Sequence, residues 1–363
     1  MPTFRRKPTQ KSIIRTDAAW DEGEAVAERT FARSHELKKD PRKHRSRANQ
    51  VGCIVGVAGT HWLVEQEDTY TARHQDVFTP THRCIVGGVV TSDNPDNESL
   101  LAVGDWVEYA TNNDQNQPGV IVHVRQRSTR LFRQAPAERS MDVLAANVER
   151  AFFVHAVTKP YFSRRLLDRH LIAAEQGGVD PVVVLNKIDL GIPPEVEQAI
   201  AYYRSRLGLQ VCLTSAVSGE GIDQLRALMM GNVSVLIGAS GVGKSALLNA
   251  CFGMDLQRVR EISRKYQRGR HTTTSPRLFH LPTGGALIDT PGVREFALGM
   301  IAPEELAFYF HDFMPYSERC RYVPCTHTHE PECSVRTAVA QGHIDSERYE
   351  SYLLIFESLQ HQE

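Results

Sequence analysis

Gly238, Gly243, Lys244 and Ser245 stand at the spacing G-x-x-x-x-G-K-[ST]. That spacing suits a nucleotide polyphosphate. Glycines let backbone N–H groups curl around the phosphates, a lysine reaches the β and γ phosphates, and a serine hydroxyl ligates Mg²⁺. Ser240, Gly241, Val242 and Ala246 complete the loop, with the apolar run VSVLIG before it and ALLNACF after it. The expected context is therefore strand, loop, helix. Downstream, LIDTPG at 287–292 ends an apolar strand on Asp289, a carboxylate able to hold Mg²⁺ through water, and Gly292 can place its N–H by the γ phosphate.

Between these elements lies RKYQRGRHTTTSP, polar, basic and without periodicity, as a switch loop would be. One of Thr272, Thr273 and Thr274, taken as Thr273, is expected to complete Mg²⁺ coordination when the γ phosphate is present. Val293 follows DTPG where many P-loop nucleotide hydrolases carry a glutamine that orients water. Valine has no group for that task, so turnover unaided by a partner should be slow. His271, beside the threonines, is the candidate to orient the water, next to the phosphate-binding Lys244. Arg268 and Arg270 are alternatives that would supply positive charge to the transition state.

Asn186, Lys187 and Asp189 form N-K-x-D after the apolar run PVVVL. A carboxylate at Asp189 can accept hydrogen bonds from guanine N1–H and its exocyclic amine, a pattern that adenine lacks. Ser215 and Ala216 lie in TSA at 214–216, where a backbone N–H near Ala216 can meet the guanine carbonyl oxygen. The base-reading elements thus precede the phosphate-binding ones, the reverse of the usual order. Circular permutation accounts for this, because termini that lie close together can be joined and the chain cut elsewhere without disturbing the sheet. MMGNVSV at 229–235 is the expected new joint.

Cys320, Cys325, His327 and Cys333 give C-x4-C-x-H-x5-C. Three thiolates and an imidazole form a tetrahedral set suited to a structural Zn²⁺, with His329 able to replace His327 on spacing alone. Arg319, Arg321 and Arg336 flank the set and can face phosphate or solvent.

Several kinds of element must position these groups. Residues 50–135 contain short β-type runs (VGCIVGVAG, HWLVEQ, TYTARH, HRCIVGGVV, DWVEYA, GVIVHVRQR) without helix-length segments, which suggests a small closed barrel with the OB-fold as candidate. Residues 136–301 alternate strand and helix, predicting a parallel sheet covered on both faces. Residues 302–363 read as a helical, metal-binding segment. Residues 1–49 read as a basic arm with RRK, KK and RKHRSR, either flexible or helical around AAWDEGEAVAERTFARSHELKK.

At 363 residues and 41% hydrophobic the chain can bury several cores. It contains no apolar run of about 20 residues and no apolar core in its first residues, so neither a membrane span nor a secretory signal is expected and the cytoplasm is the default location. Seven cysteines do not make a disulfide framework. Nothing demands more than a monomer.

With VGDWV, RLLDRHLIAAEQGG, NKIDL, GASGVGKSALLN, GRHTTT, DTPGVREF and CRYVPCTHTHEPECSV in this order, residues 51–358 resemble the ribosome-small-subunit-dependent, circularly permuted GTPases of the RsgA/YjeQ family. The resemblance implies a multidomain fold: an N-terminal OB-fold barrel, a central α/β P-loop GTPase domain in permuted order and a C-terminal helical zinc-binding domain. It implies GTP with Mg²⁺, one structural Zn²⁺ on His327 rather than His329, and a catalytic role for the GRHTTT histidine, His271. The small ribosomal subunit and its rRNA are the expected partners, with hydrolysis stimulated on the subunit late in its maturation and triggering release. An RNA-binding assembly factor that uses GTP as a conformational latch is the alternative. An ATP-using P-loop enzyme is disfavoured by Asn186 and Asp189.

Overall fold

The structure is a computed structural model describing residues 50–71, 81–111, 117–133, 141–253, 276–290, 298 and 301–360. The basic arm, with its expected helix, lies outside the described residues.

Five strands close the N-terminal barrel: β1 (Gln50–Ala58), β2 (His61–Gln66), β3 (His82–Ser92), β4 (Trp106–Ala110) and β5 (Gly119–Val124). β1 pairs with β2, β2 with β3, β3 in parallel with β5, β5 with β4, and β4 returns to β1. Full closure leaves the barrel with no open edge of its own. Its interior holds Ile54, Val64, Val107, Tyr109 and Ile121, all fully buried. Gly52 is required where β1 and β2 come close, because a Cβ there would lie 2.5 Å from the Glu65 carbonyl oxygen.

The structure corrects one expected strand. TYTARH begins inside a short helix, α1 (Glu67–Thr71), whose first turn carries Glu67 and Asp68. Carboxylates favour a helix N-terminus, and the Tyr70 ring is held edge-on against Trp106 at 5.1 Å and His280 at 5.2 Å. Tertiary packing of one aromatic outweighs the β propensity of the Thr-Tyr-Thr triplet.

A hairpin of β6 (Arg130–Arg133) and β7 (Asp142–Ala146) leads into the α/β segment. There β8 (Arg150–Ala156), β9 (Asp180–Asn186), β10 (Gln210–Thr214), β11 (Val233–Ile237), β12 (Arg277–His280) and β13 (Ala286–Asp289) alternate with α2 (Arg164–Gly177), α3 (Pro194–Arg206), α4 (Ile222–Met229) and α5 (Lys244–Phe252). The spatial order is β10-β9-β8-β11-β13-β12, parallel except for β12. Near-continuous apolar strands such as AFFV and VVVL are what a sheet buried on both faces requires. Ser163 caps α2, its side chain accepting from Leu166 N, and Gly178 ends the helix at φ 67°.

The P-loop strand β11 is central, between β8 and β13, although it follows three other strands of the sheet in sequence. The joint that permutation demands is pinned to the β12–β13 turn: Gly231 N donates to Gly284 O at 3.0 Å and Ala286 N to Asn232 O at 3.0 Å. At its other edge the sheet runs on into the barrel, through β12 against β1 with Arg277 opposite Gly56.

The C-terminal segment contains 3₁₀ turns at Pro303–Tyr309 and His311–Phe313 and helices α6 (Met314–Ser317), α7 (Ser334–Ala340) and α8 (Ser346–Gln360). Its core joins Leu306, Phe310, Phe313, Tyr352 and Ile355, and Ile172 of α2 is buried in the same cluster. Among the described residues no helix is long and apolar enough to cross a membrane.

Candidate functional site

The candidate nucleotide-site residues collect at one edge of the sheet because parallel strands end together. Asn186 closes β9, Thr214 closes β10 and Asp289 closes β13, while Gly238 follows the end of β11. In open α/β sheets ligands bind outside these carboxyl ends, where the strand order reverses. That reversal falls between β8 and β11.

Two loops far apart in sequence are tied together there. The buried Asn186 donates through Nδ2 to the Val242 carbonyl at 2.9 Å, and Thr214 Oγ1 donates to Asn186 Oδ1 at 3.3 Å. Only glycine fits at 243, where φ is 102° and a Cβ would come within 2.3 Å of Asn186 Nδ2. A Cβ at 238 would likewise meet the Val154 carbonyl oxygen at 2.2 Å. The Asn186 side chain therefore braces the phosphate loop.

Asp189 is the exposed carboxylate of the group. Ser215 Oγ donates to its Oδ1 at 2.6 Å and accepts from the backbone N–H of Val217 at 3.2 Å and Ser218 at 3.0 Å. These bonds fix the carboxylate's orientation and hold the loop that carries Ala216. Lys187 takes a left-handed conformation at φ 66°, and its Nζ donates to the Lys159 carbonyl at 2.9 Å.

Lys244 opens α5, its ammonium folded over the loop and donating to Gly238 O at 2.6 Å and Ala239 O at 3.0 Å. Such contacts shape the loop as a cradle whose cationic lid can turn toward an incoming phosphate. Ser245 and Ala246 are exposed in the first turn of α5. Asp289 ends β13, the parallel neighbour of β11, so Ser245 and Asp289 sit at the same edge of adjacent strands. Thr272, Thr273, Thr274, His271, Arg268, Arg270 and Gly292 lie outside the described residues.

A second site forms in the C-terminal segment. One donor atom from each of Cys320, Cys325, His327 and Cys333 lies within 4.8 Å of the others. Cys320 Sγ is 3.9 Å from Cys333 Sγ, and His327 Nδ1 is 3.6 Å and 3.4 Å from those two sulfurs. A tetrahedron with bonds of about 2.3 Å to sulfur and 2.0–2.1 Å to nitrogen has edges of roughly 3.8 Å and 3.6 Å. The residues fit one tetrahedral metal ion through His327 Nδ1. His329 is exposed and hydrogen-bonds Thr328 Oγ1 at 2.9 Å. His327 sits at φ 57°, and the Tyr349 hydroxyl donates to its carbonyl at 2.7 Å.

A family model described as RsgA GTPase matches residues 124–299. The small ribosomal subunit biogenesis GTPase RsgA of Chlorobaculum parvum is 39% identical over 315 residues, spanning 85% of this chain and 97% of the relative. The chain belongs to the RsgA GTPase family. Two solved structures show the shared architecture. YjeQ from Thermotoga maritima has 30% identity and a TM-score of 0.62, covering 86% of this chain and 98% of that one. YloQ, described as a circularly permuted GTPase, has 26% identity and a TM-score of 0.61, covering 89% and 99%. In this RsgA-family chain a barrel, an α/β sheet with permuted motif order and a Cys3His segment follow one another.

Some parts of this RsgA-family site carry no motif. The Lys159 carbonyl that receives Lys187 is a backbone atom. The Val242 carbonyl that receives Asn186 sits at a position marked x in the phosphate-loop pattern. Tyr349 and Tyr352 reach the metal-binding segment from α8 and belong to no motif, their hydroxyls donating to the His327 carbonyl at 2.7 Å and the Thr326 carbonyl at 2.5 Å.

Proposed function

We propose that this chain hydrolyses GTP to GDP and phosphate on the small ribosomal subunit, late in the subunit's maturation, with hydrolysis stimulated there and triggering release. The observation that carries the proposal is the Asn186–Val242 hydrogen bond, which unites a guanine-type reading loop with a phosphate loop at one sheet edge. In this reading Asp189 and the backbone near Ser215 and Ala216 read guanine. Gly238, Ser240, Gly241, Val242, Gly243, Lys244, Ser245 and Ala246 enclose the phosphates, and Gly292 meets the γ phosphate. Family kinship with proteins named small ribosomal subunit biogenesis GTPases supports the same assignment.

Ser245, Thr273 and Asp289 would hold Mg²⁺, which supplies charge neutralisation at the β and γ phosphates. Cys320, Cys325, His327 and Cys333 would hold Zn²⁺, whose protein-saturated coordination makes it structural. Lys244 compensates charge on the phosphates. His271 orients the attacking water, a task that Val293 leaves open. The protein acts as a monomer in the cytoplasm, contacting rRNA without a membrane.

The test is GTP and ATP hydrolysis with and without isolated small subunits, at fixed salt because phosphate contacts are salt-sensitive. GTP-selective stimulation supports the proposal. Slow turnover unchanged by tightly bound subunits would instead make the nucleotide a conformational latch.

A further inference from the structure

We propose that the loop joining β8 to α2 is a positioning element for nucleotide binding, and that the C-terminal domain sets it by gripping α2. The inference rests on reading Lys187 and Gly241 as nucleotide-site residues.

The loop touches both halves of the site. Val157 N donates to the Asn186 carbonyl at 3.1 Å, and the Lys159 carbonyl receives Lys187 Nζ at 2.9 Å. A Cβ at Gly241 would lie 3.9 Å from Pro160 Cδ, which places the proline ring against the phosphate loop. Lys159 and Lys187 are both left-handed, at φ 42° and 66°, so their mutual contact depends on two backbone conformations that non-glycine residues rarely adopt. Phe162 then packs on the buried cluster that contains Leu167 and Leu185, and Ser163 caps α2. Any rotation of α2 therefore moves the carbonyl that holds Lys187.

α2 is held from its other side. Arg164 pairs with Asp345 at 2.8 Å and Glu347 at 2.7 Å, Asp168 pairs with Arg348, and Glu175 pairs with His311 at 2.9 Å. Ile172 enters the C-terminal core. Positions 164, 168, 172 and 175 form a single stripe at helical spacing. Ala173 and Ala174 pack instead with the core shared by the sheet and the barrel. The helix is clasped between two bodies, and Arg164, nearest the loop, is a positioning residue that acts through Lys159 and Lys187.

The experiment follows dissociation of a fluorescent N-methylanthraniloyl GDP from the full-length, metal-loaded protein. Arg164→Met and, from the opposite side, the double substitution Asp345→Asn/Glu347→Gln are each expected to speed dissociation by about fivefold or more. Extracting the metal with a chelator should accelerate the unsubstituted protein similarly, yet change Arg164→Met by less than about twofold, since both act through one route. Unaltered dissociation in either folded variant, or acceleration that multiplies with metal removal, overturns the proposal. If Arg164→Met does not fold, the double substitution decides alone. Competition with ADP separates the two readings: failure of the unsubstituted protein to prefer GDP removes the guanine assignment, whereas preserved preference with unchanged rates removes only the role of α2.

Discussion

On the proposed reading the Asp189 carboxylate distinguishes guanine from adenine, and Ser215 Oγ donates to its Oδ1 at 2.6 Å. Replacing Asp189 by Asn exchanges an acceptor for a donor opposite guanine N1–H, leaving two donors facing each other in the proposed complex. The preference for GTP over ATP should fall by about tenfold to a hundredfold, given the roughly 1–3 kcal/mol attached to an unsatisfied group. Competition binding with both nucleotides checks this, and unchanged discrimination would refute the base-reading role. His271→Ala should reduce subunit-stimulated hydrolysis by about a hundredfold or more, the usual contribution of a positioned acid or base, with GTP affinity near normal. Full stimulated turnover in that variant would remove His271 from the mechanism. That Asn186, Asp189 and Ser215 lie beside the loop of Val242 could be anticipated from the sequence because such motifs use few side-chain types at fixed spacings; His271 lies outside the described residues. The buried Asp168–Arg348 pair was not legible, since 180 residues separate its partners and neither position belongs to a motif.

The phosphate loop and its brace form a unit at the scale of elements. Gly243→Ala would drive a Cβ to 2.3 Å from Asn186 Nδ2 on a backbone at φ 102°. The strain is on the order of 1–3 kcal/mol, concentrated where two loops meet. We expect GTP affinity to fall at least tenfold while the far-ultraviolet circular dichroism stays native; equal affinity would show that the loops need no such close approach. The parallel strands could be read from their apolar runs, and α2 from its periodicity and cap. β12 and the β6–β7 hairpin could not, because RLFH, RLFR and DVLAA are too short to show a period. Pairing partners supply what those sequences lack. α1 was misread for the complementary reason: its local β propensity gave way to the contacts of Tyr70 with Trp106 and His280.

Across the whole molecule, buried polar side chains tie together elements distant in sequence. In the barrel Arg127 pairs with Asp105 at 2.8 Å and Glu98 at 2.9 Å. Glu65 of β2 pairs with His280 of β12 at 2.9 Å, and Arg348 bridges Asp168 and Asp312. Burial pulls Arg348 toward neutrality, but the two carboxylates more than offset this and its affinity for the proton is raised. Arg348→Met should therefore cost about 3–5 kcal/mol by stranding Asp168, whereas adding Asp168→Leu should recover part of that loss. Urea unfolding of the single and double variants measures both. Acid acts on a different pair. His155 lies buried between Phe162 and His170, with ring centroids at 5.4 Å and 5.6 Å, and burial lowers its pKa to about 4. His170, also buried and beside His155 and Arg169, is lowered too. With unfolded values near 6.5, the unfolded chain binds more protons between these limits. The stabilisation is full above pH about 6.5 and drains away as the pH falls toward about 4, by up to roughly 3 kcal/mol for His155. His155→Phe should remove the His155 share of this fall and leave the share due to His170, as urea unfolding at a series of pH values between about 4 and 7 would show.

The central position of β11 also has a meaning for the chain as it is being made. β8 emerges from the ribosome with β9 and β10 following to cover one side, but its other neighbour, β11, begins at Val233. At roughly 5–20 residues per second, the eighty or so residues from Arg150 to Val233 take about 4–16 s to synthesise. Throughout that interval the apolar strand RAFFVHA presents a bare hydrogen-bonding edge, the kind that recruits other strands. Permutation leaves the finished sheet intact and lengthens the interval of synthesis during which β8 waits for one of its two neighbours.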